Sequence, residues 1–438
     1  MRTATSPVPL DTTHRADPLD VGITAGIDLS DRWSDVAIKD PAGDVLAEAR
    51  VTNDPEGIRH ITDLLKQVAP RRWKRVPVAL ERPRSLFVDA LVAAGVRIVP
   101  IDPTLAARHR GLRSPSGKKK SDAADARLLA DMLRVDGLTR RPAPANSATV
   151  QRLAVLMRGH LAATRMRTDL LHRIRALLVE YHPAMVAAYP EHQLRSAQAR
   201  AVLAAAPTPG LARELTRAQL ADILVDAGRA RRIADEAERL QLLMRADRLR
   251  QPPAIEGAMG IRLLSLLRLL DALCDEIDDA LHRMTEVLHT HPDAPTYLAV
   301  PGLGPVLATR LLAEIGDDRA RFATARGFCS YAGLPPITWS SGTSTRVYHR
   351  TAANKNLKAT FFQAAFCSLS HSPHARALYN YRRMRGDRYA AALRQVSLRH
   401  ARALHHCLHA GVAYDDARAF RRLTAVTPDP DGVRVPTA

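Results

Sequence analysis

The chain has 438 residues, 46% of them hydrophobic, and carries 64 lysines and arginines against 45 acids, a formal charge of +19. That length and apolar content exclude wholesale disorder and allow several domains with cores of their own. No apolar run reaches the roughly 18 residues of a membrane span and no apolar signal core follows the first residues, so a cytoplasmic protein without a membrane segment is expected. The basic excess is mostly arginine spread over several segments and suits nucleic acid, because each neutralised phosphate releases counterions. Cys274, Cys329, Cys367 and Cys407 lie far apart with no C-x-x-C pair, against a zinc ribbon or a disulfide framework.

Residues 1–20 are polar, contain proline and show no period, and are expected to form a disordered lead. Residues 25–30, 34–38 and 45–51 then read as strands, with Asp40-Pro41-Ala42-Gly43 as a turn. Residues 55–68 have helical spacing, 76–80 form a short apolar strand ending at Glu81, 85–94 a helix closed by Gly95, 96–101 another strand and 103–113 another helix. A three-strand meander followed by alternating helix and strand predicts an α/β sheet with one antiparallel flank and a parallel remainder.

Four acids stand out in that order. Asp28 sits inside the first strand between Ile27 and Leu29, where a charge is unexpected unless it lines a site at the sheet's edge. Glu81 closes the fourth strand, at the kind of strand end where active groups gather. Ser121 reads as the N-cap of a helix whose first turn carries Asp122 and Asp125 at i and i+3, on one face. Clustered carboxylates repel and raise one another's pKa, a cost that a divalent cation removes, and oxygen-only ligands point to Mg²⁺ or Mn²⁺. A solvated helix start and separate surface carboxylates are the plainer alternative.

Beyond Pro142-Ala143-Pro144 the chain is expected to be almost wholly helical, with a long arginine-studded helix over 150–181 and shorter ones over 195–251. Leu263, Leu266, Leu270, Leu273, Ile277, Ala280, Met284 and Val287 keep the 3-4 spacing of a coiled-coil seam, intramolecular or between protomers. The stretch from Val300 through Gly302 and Gly304 to Ile315 looks like a helix-hairpin-helix, whose glycine turn and helix start could hold a DNA phosphate without reading sequence. Residues 331–346 read as a glycine and hydroxyl loop leading into Arg350, Lys355 and Lys358. A serine before glycine there, steadied by cations, could be a nucleophile. His400, His405, His406 and His409 are expected on a solvated helix face, and the tail from Ala425 is expected to be disordered.

Gly26-Ile27-Asp28, Leu80-Glu81, Lys120-Ser121-Asp122-Ala123-Ala124-Asp125-Ala126, Pro301-Gly302-Leu303-Gly304-Pro305, Tyr331 to Pro336 and Ser341-Gly342 follow one another at specific spacing. In this series the chain resembles, from about Gly22 to Ala417, the DEDD transposases of bacterial insertion sequences, a family that includes the Piv DNA invertase and the bridge-RNA-guided recombinases. Where the family has a glycine after the glutamate, this chain has Arg82-Pro83-Arg84. The resemblance implies an α/β RNase H-like (RuvC-like) domain over 21–141, a helical coiled-coil region over 142–291, and a mainly α C-terminal domain over 292–424. Beyond the resemblance, residues 425–438 are proline-rich and are expected to form the disordered tail.

Asp28, Glu81, Asp122 and Asp125 would bind Mg²⁺ in the first of these. The last would supply a serine that becomes covalently linked to DNA, Ser341 by motif position with Ser340 as the near alternative. Gly302, Gly304, Arg346, Arg350, Lys355 and Lys358 would contact nucleic acid. Implied partners are double-stranded DNA, a structured guide RNA and further copies of the chain as a homodimer or homotetramer, in a bacterial, nucleoid-associated setting. The resemblance thus favours a site-specific recombinase over a junction nuclease that uses metal and water alone, and over a non-catalytic DNA-binding scaffold.

Overall fold

The computed structural model describes residues 22–81, 85–113, 121–136, 143–342, 344–348, 350 and 353–424. The expected lead, Arg82-Pro83-Arg84, the basic run Lys118-Lys119-Lys120, Pro142 and the tail from Ala425 lie outside the described residues. The chain divides into two compact units, one of residues 1–146 with 318–324, the other of 147–317 with 325–438.

The first unit is built on strands β1 (Thr24–Leu29), β2 (Trp33–Lys39), β3 (Val45–Thr52), β4 (Pro77–Leu80) and β5 (Arg97–Pro100). With them come helices α1 (Pro55–Val68), α2 (Leu86–Ala93), α3 (Pro103–Arg113) and α4 (Asp122–Asp136). The sheet runs β3-β2-β1-β4-β5, antiparallel through β3, β2 and β1 and parallel through β1, β4 and β5, the mixed order expected from sequence. Side chains alternate faces along a strand. Ile27, Ile38, Val78, Leu80 and Ile98 therefore pack with Ile61 and Leu65 of α1 and Leu91 of α2, while Ala79 and Val99 pack with Leu129, Met132 and Leu133 of α4.

α4 lies against the sheet almost without intervening side chains. A Cβ on Gly26 would stand 2.6 Å from Ala130 N and 2.9 Å from Leu129 Cβ, and closer still to Ala126 O. Thr24 Oγ1 donates to Ala130 O at 3.0 Å, and Lys39 Nζ reaches Asp131 at 2.7 Å with both side chains buried. Arg127 pairs with Glu48 on β3. Because Thr24 meets Ala130 and Gly26 meets Ala126, α4 runs antiparallel to β1, and its first turn lies over the end of β1 that carries Asp28.

In the second unit α5 (Ala148–Tyr181) is followed by α6 (Pro183–Ala188), α7 (Ala197–Ala205), α8 (Pro209–Glu214), α9 (Arg217–Asp226) and α10 (Ile233–Arg245). The long helix α11 (Pro253–His289) then returns along α5. Leu263, Leu267 and Leu270 share one core with Leu171, Ile174, Leu177 and Leu178, so the leucine seam packs within the chain. Next come α12 (Ala294–Leu298), α13 (Pro305–Ile315), α14 (Ala325–Tyr331), β6 (Ile337–Ser341) and β7 (Ser344–Tyr348). The unit ends with α15 (Lys355–Ser368), α16 (Pro373–Met384), α17 (Tyr389–Ala410) and α18 (Asp416–Thr424).

The histidine run departs from expectation. His400 is not on a solvated face: it is 1% exposed, with Nδ1 at 3.0 Å from the Tyr414 hydroxyl and Nε2 at 3.0 Å from Ser368 Oγ. His405 is half-buried and stacks on exposed His409 at 4.2 Å between ring centroids.

Two outcomes are expected. Gly26→Ala forces α4 off β1 and should lower stability by about 1–3 kcal/mol, the range for overpacking a close contact, read as a lower urea midpoint. Burial holds the imidazoles of His182 and His400 down to about 4, below the 6.5 of a free histidine. The unfolded chain therefore gains protons first as pH falls, so stability present above about pH 6.5 should drop progressively towards pH 4. His400→Gln should flatten that slope in a series of urea midpoints.

Candidate active site

Strand geometry explains how the first unit gathers its acids. Along β1, Thr24 and Gly26 face α4, and the period of two puts Asp28 on the same side. Cross-strand partners share a face, so Asp35, opposite Asp28, and Arg50, opposite Asp35, belong to that side too. β4 runs parallel to β1, which brings Glu81, the residue after Leu80, to the same sheet edge. Ser121 caps α4, its Oγ accepting from Ala124 N at 3.2 Å, and fixes the turn that carries Asp122 and Asp125. The four acids singled out from sequence thus come together at one end of the sheet.

Two arginines, not foreseen from sequence, hold this edge. Arg110 of α3 donates from Nε to Asp125 Oδ1 at 2.7 Å and from Nη2 to Glu81 Oε1 at 3.1 Å. The Asp125 side chain is 6% exposed, and its hydrogen bond keeps the Arg110 pKa above its already high ordinary value. Arg50 grips Asp35 through Nε at 3.2 Å and Nη2 at 2.8 Å, and its Nη2 lies 3.8 Å from Asp122 Oδ2. A lone arginine late in a helix gives no sequence signal of such a role; only the register and the α3–α4 packing expose it.

Hard carboxylate oxygens are donors that Mg²⁺ or Mn²⁺ accepts. Among the described residues, however, no three Asp, Glu, His or Cys side chains converge closely enough to hold an ion. Glu81 and Asp125 instead share a guanidinium. As they stand, these residues fit a bridging arginine and do not form a metal centre.

The second unit carries Ser341 and corrects the reading of residues 331–346 as a loop. β6 and β7 pair antiparallel as a hairpin, with Ile337 opposite Tyr348, Trp339 opposite Arg346, Ser340 opposite Thr345 and Ser341 opposite Ser344. Gly342, at φ +57°, supplies the left-handed backbone that so short a connection requires. Ser341 is exposed at the end of the ribbon, where Ser344 Oγ donates to its carbonyl at 3.2 Å. The hairpin has no buried face, so it lacks the apolar alternation that marks a strand.

After it, Asn354 caps α15, its Oδ1 accepting from Leu357 N at 2.9 Å, and its amide donates to Glu314 at 2.6 Å. Lys355 and Lys358 occupy the start of α15, where the helix dipole disfavours cations and a bound phosphate would offset the conflict. Lys358 Nζ donates to Arg350 O at 3.4 Å. In the turn between α12 and α13, Gly302 has φ +83°, and a Cβ there would lie 2.7 Å from Cys367 C and 2.5 Å from Ser368 N. Packing against the end of α15 accounts for that glycine. Gly304 caps α13 in extended backbone with open space around it.

A mixed sheet with carboxylates at one end and a long helical remainder is compatible with an RNase H-like nucleic-acid enzyme. Comparison with known proteins gives the family. Residues 25–183 match the model of the IS110 DEDD transposase, and residues 296–380 that of the transposase IS116/IS110/IS902 family. The chain is 42% identical to the IS117 mini-circle transposase of Streptomyces coelicolor, over 92% of this chain and 97% of that one. It is 28% identical to the 43.6 kDa protein of insertion element IS110 from the same organism, over 91% and 97%. It is 27% identical to the 42 kDa protein of insertion element IS900 of Mycobacterium paratuberculosis, over 92% and 98%.

The chain belongs to the IS110 family of transposases. It is a transposase of an IS110/IS117-type insertion element, a DNA-processing enzyme, and among its described residues no helix is long and apolar enough to cross a membrane. DEDD transposases are in general divalent-metal dependent.

Arg110→Ala tests how that dependence relates to the bridging arginine. In chelator the variant should lose about 1–3 kcal/mol, because Asp125 keeps a buried charge with one partner fewer. Mg²⁺ or Mn²⁺ should raise its melting temperature more than that of the unsubstituted protein. Equal responses of the two would show that an ion does not take Arg110's place.

Proposed function

We propose that this transposase cuts and rejoins DNA through a covalent serine intermediate, with Ser341 as nucleophile. The observation that carries this reading is Ser341 itself: an exposed hydroxyl at the end of a hairpin, in a stretch from Ile337 to Lys358 that contains no acid and holds Arg346, Arg350, Lys355 and Lys358. A phosphodiester approaching that hydroxyl meets only cations on the surrounding segment, which favours charge build-up on its oxygens. Ser341 Oγ bonds to phosphorus as one bridging P–O bond breaks. The serine proton passes to a base, and the departing oxygen takes up a proton to become a free hydroxyl end. The phosphoserine linkage conserves the phosphodiester energy, so the reverse attack by another DNA hydroxyl rejoins the strand without an external energy source.

Asp28, Glu81, Asp122 and Asp125 form the acidic part of the machinery and are the candidate ligands for Mg²⁺ or Mn²⁺. As arranged, Glu81 and Asp125 hold Arg110, and Asp122 lies near Arg50. The RNase H-like description of the first unit rests on its strand order and its acids. In the helix-hairpin-helix reading of this turn the contact to the DNA backbone falls to Gly304, supported by the open space around it, while Gly302 packs on the end of α15. A structured guide RNA, supported by the charge of +19 and by the sequence resemblance, and a homodimeric or homotetrameric assembly, supported by the resemblance, complete the reading. With choice of site delegated to base pairing, the protein need read only backbone and shape.

Incubating the protein with DNA carrying the element ends and denaturing the products should trap a protein–DNA adduct. The adduct should vanish in Ser341→Ala and persist in Ser340→Ala. Cleavage that survives in Ser341→Ala without an adduct would instead assign the attack to water. Sequencing of RNA that copurifies with the protein tests the guide.

A further inference from the structure

We infer that the hairpin face presenting Ser341 is also a stacking platform for an unpaired DNA base, formed by Trp339 and Tyr348 with Arg346 on the same face beside them. The inference rests on the reading of Ser341 as the group that meets DNA. Cross-strand partners and every second residue share a face of a ribbon. The pairs Trp339 with Arg346, Ser341 with Ser344 and Ile337 with Tyr348 therefore put Trp339, Ser341, Arg346 and Tyr348 on one side, and Ser340 on the other. The two rings lie 6.1 Å apart at 77°, edge to face, which shows that they share that side.

Trp339 is 72% exposed and Tyr348 46% exposed. Only 4% of this chain is aromatic, with three tryptophans in all, so a tryptophan left in water on a ribbon whose described side chains are exposed apart from half-buried Ile337 needs a partner. A nucleobase meets the requirements: a flat π-face for the ring, and a phosphate for the cationic segment that no acid interrupts from Ile337 to Lys358. Two residues of strand span about 7 Å, which sets a base on Trp339 one or two nucleotides from a phosphate at Ser341. Bases inside a duplex hide their faces, so the occupant is a base unstacked during strand opening. The platform would hold the strand still while its phosphate is attacked, a binding and positioning role.

The test uses the full-length protein and anisotropy of labelled oligonucleotides. Trp339→Ala should weaken binding of a single-stranded DNA oligonucleotide by roughly 5- to 100-fold, the usual effect of losing one stacked base. Its affinity for duplex of the same sequence should change less than about 2-fold. Trp339→Phe should retain most of the single-strand affinity. The part of the protein's emission that is lost in Trp339→Phe should be quenched when single-stranded DNA is added, a readout that does not depend on the alanine variant folding.

Ser341→Ala should bind and quench like the unsubstituted protein. Loss of the adduct reading with the Trp339 effect intact would overturn the nucleophile and leave the platform standing. Equal loss for single strand and duplex, absence of quenching, an effect confined to RNA, or a change of oligomeric state without a change in DNA affinity would each overturn the platform.

Discussion

The approach of α4 to β1 across Gly26 is the contact on which the first unit depends. A side chain at that position would collide with the helix backbone, so only glycine lets Ala126 and Ala130 settle on the strand. Close packing then fixes the helix along its length. Thr24 satisfies the Ala130 carbonyl, Lys39 finds Asp131, and Arg127 finds Glu48. The buried lysine–aspartate pair contributes little net stability once desolvation is counted, but a lysine without its aspartate there would be costly, so the pair penalises any other register of α4. The consequence is positional: with α4 fixed and antiparallel to β1, its first turn must lie at the carboxyl ends of β1 and β4.

Charge is sorted inside each unit in opposite ways. Among the described residues at the sheet edge, Asp28, Asp35, Glu81, Asp122 and Asp125 outnumber Arg50 and Arg110, although the chain as a whole is strongly basic. Such a concentration of acids opposes folding unless cations are supplied, and the two guanidiniums supply part of that need. Around the hairpin the balance reverses, with cations and no acid from Ile337 to Lys358. The lysines at the start of α15 add to the helix dipole instead of cancelling it. An enzyme acting on a polyanion gains from the second arrangement directly, through attraction, and from the first only through cations recruited to it.

Much of this is legible in the sequence because burial writes periodic patterns. The strand order, the helix beginning at Ser121, the edge position of Asp28 and Glu81, and the leucine seam of α11 all follow from apolar spacing and capping residues. The hairpin is hidden for the converse reason. Thr338, Trp339, Ser340, Val347 and Tyr348 are exposed, so nothing selects alternation there, and serine and glycine suggest a loop. His400 reads as solvated because a histidine run looks hydrophilic, whereas its ring is buried between the Tyr414 and Ser368 hydroxyls. Arg110 and Arg50 give no signal because their partners are distant in sequence and arginine is abundant.

That the bridging cation is arginine has a physical consequence. A lysine between two carboxylates could surrender its proton to one of them as surroundings dried, leaving a neutral amine, one neutral acid and one carboxylate without its cation. Guanidinium stays charged at any pH the protein survives, so Glu81 and Asp125 keep a positive partner and are aimed at a common point. Its planar fork also fixes both distances at once, which a point charge would not. The edge therefore keeps two carboxylates turned towards one cation, and Arg110, reaching in from α3 with a third of its side chain exposed, is the more accessible member of the group.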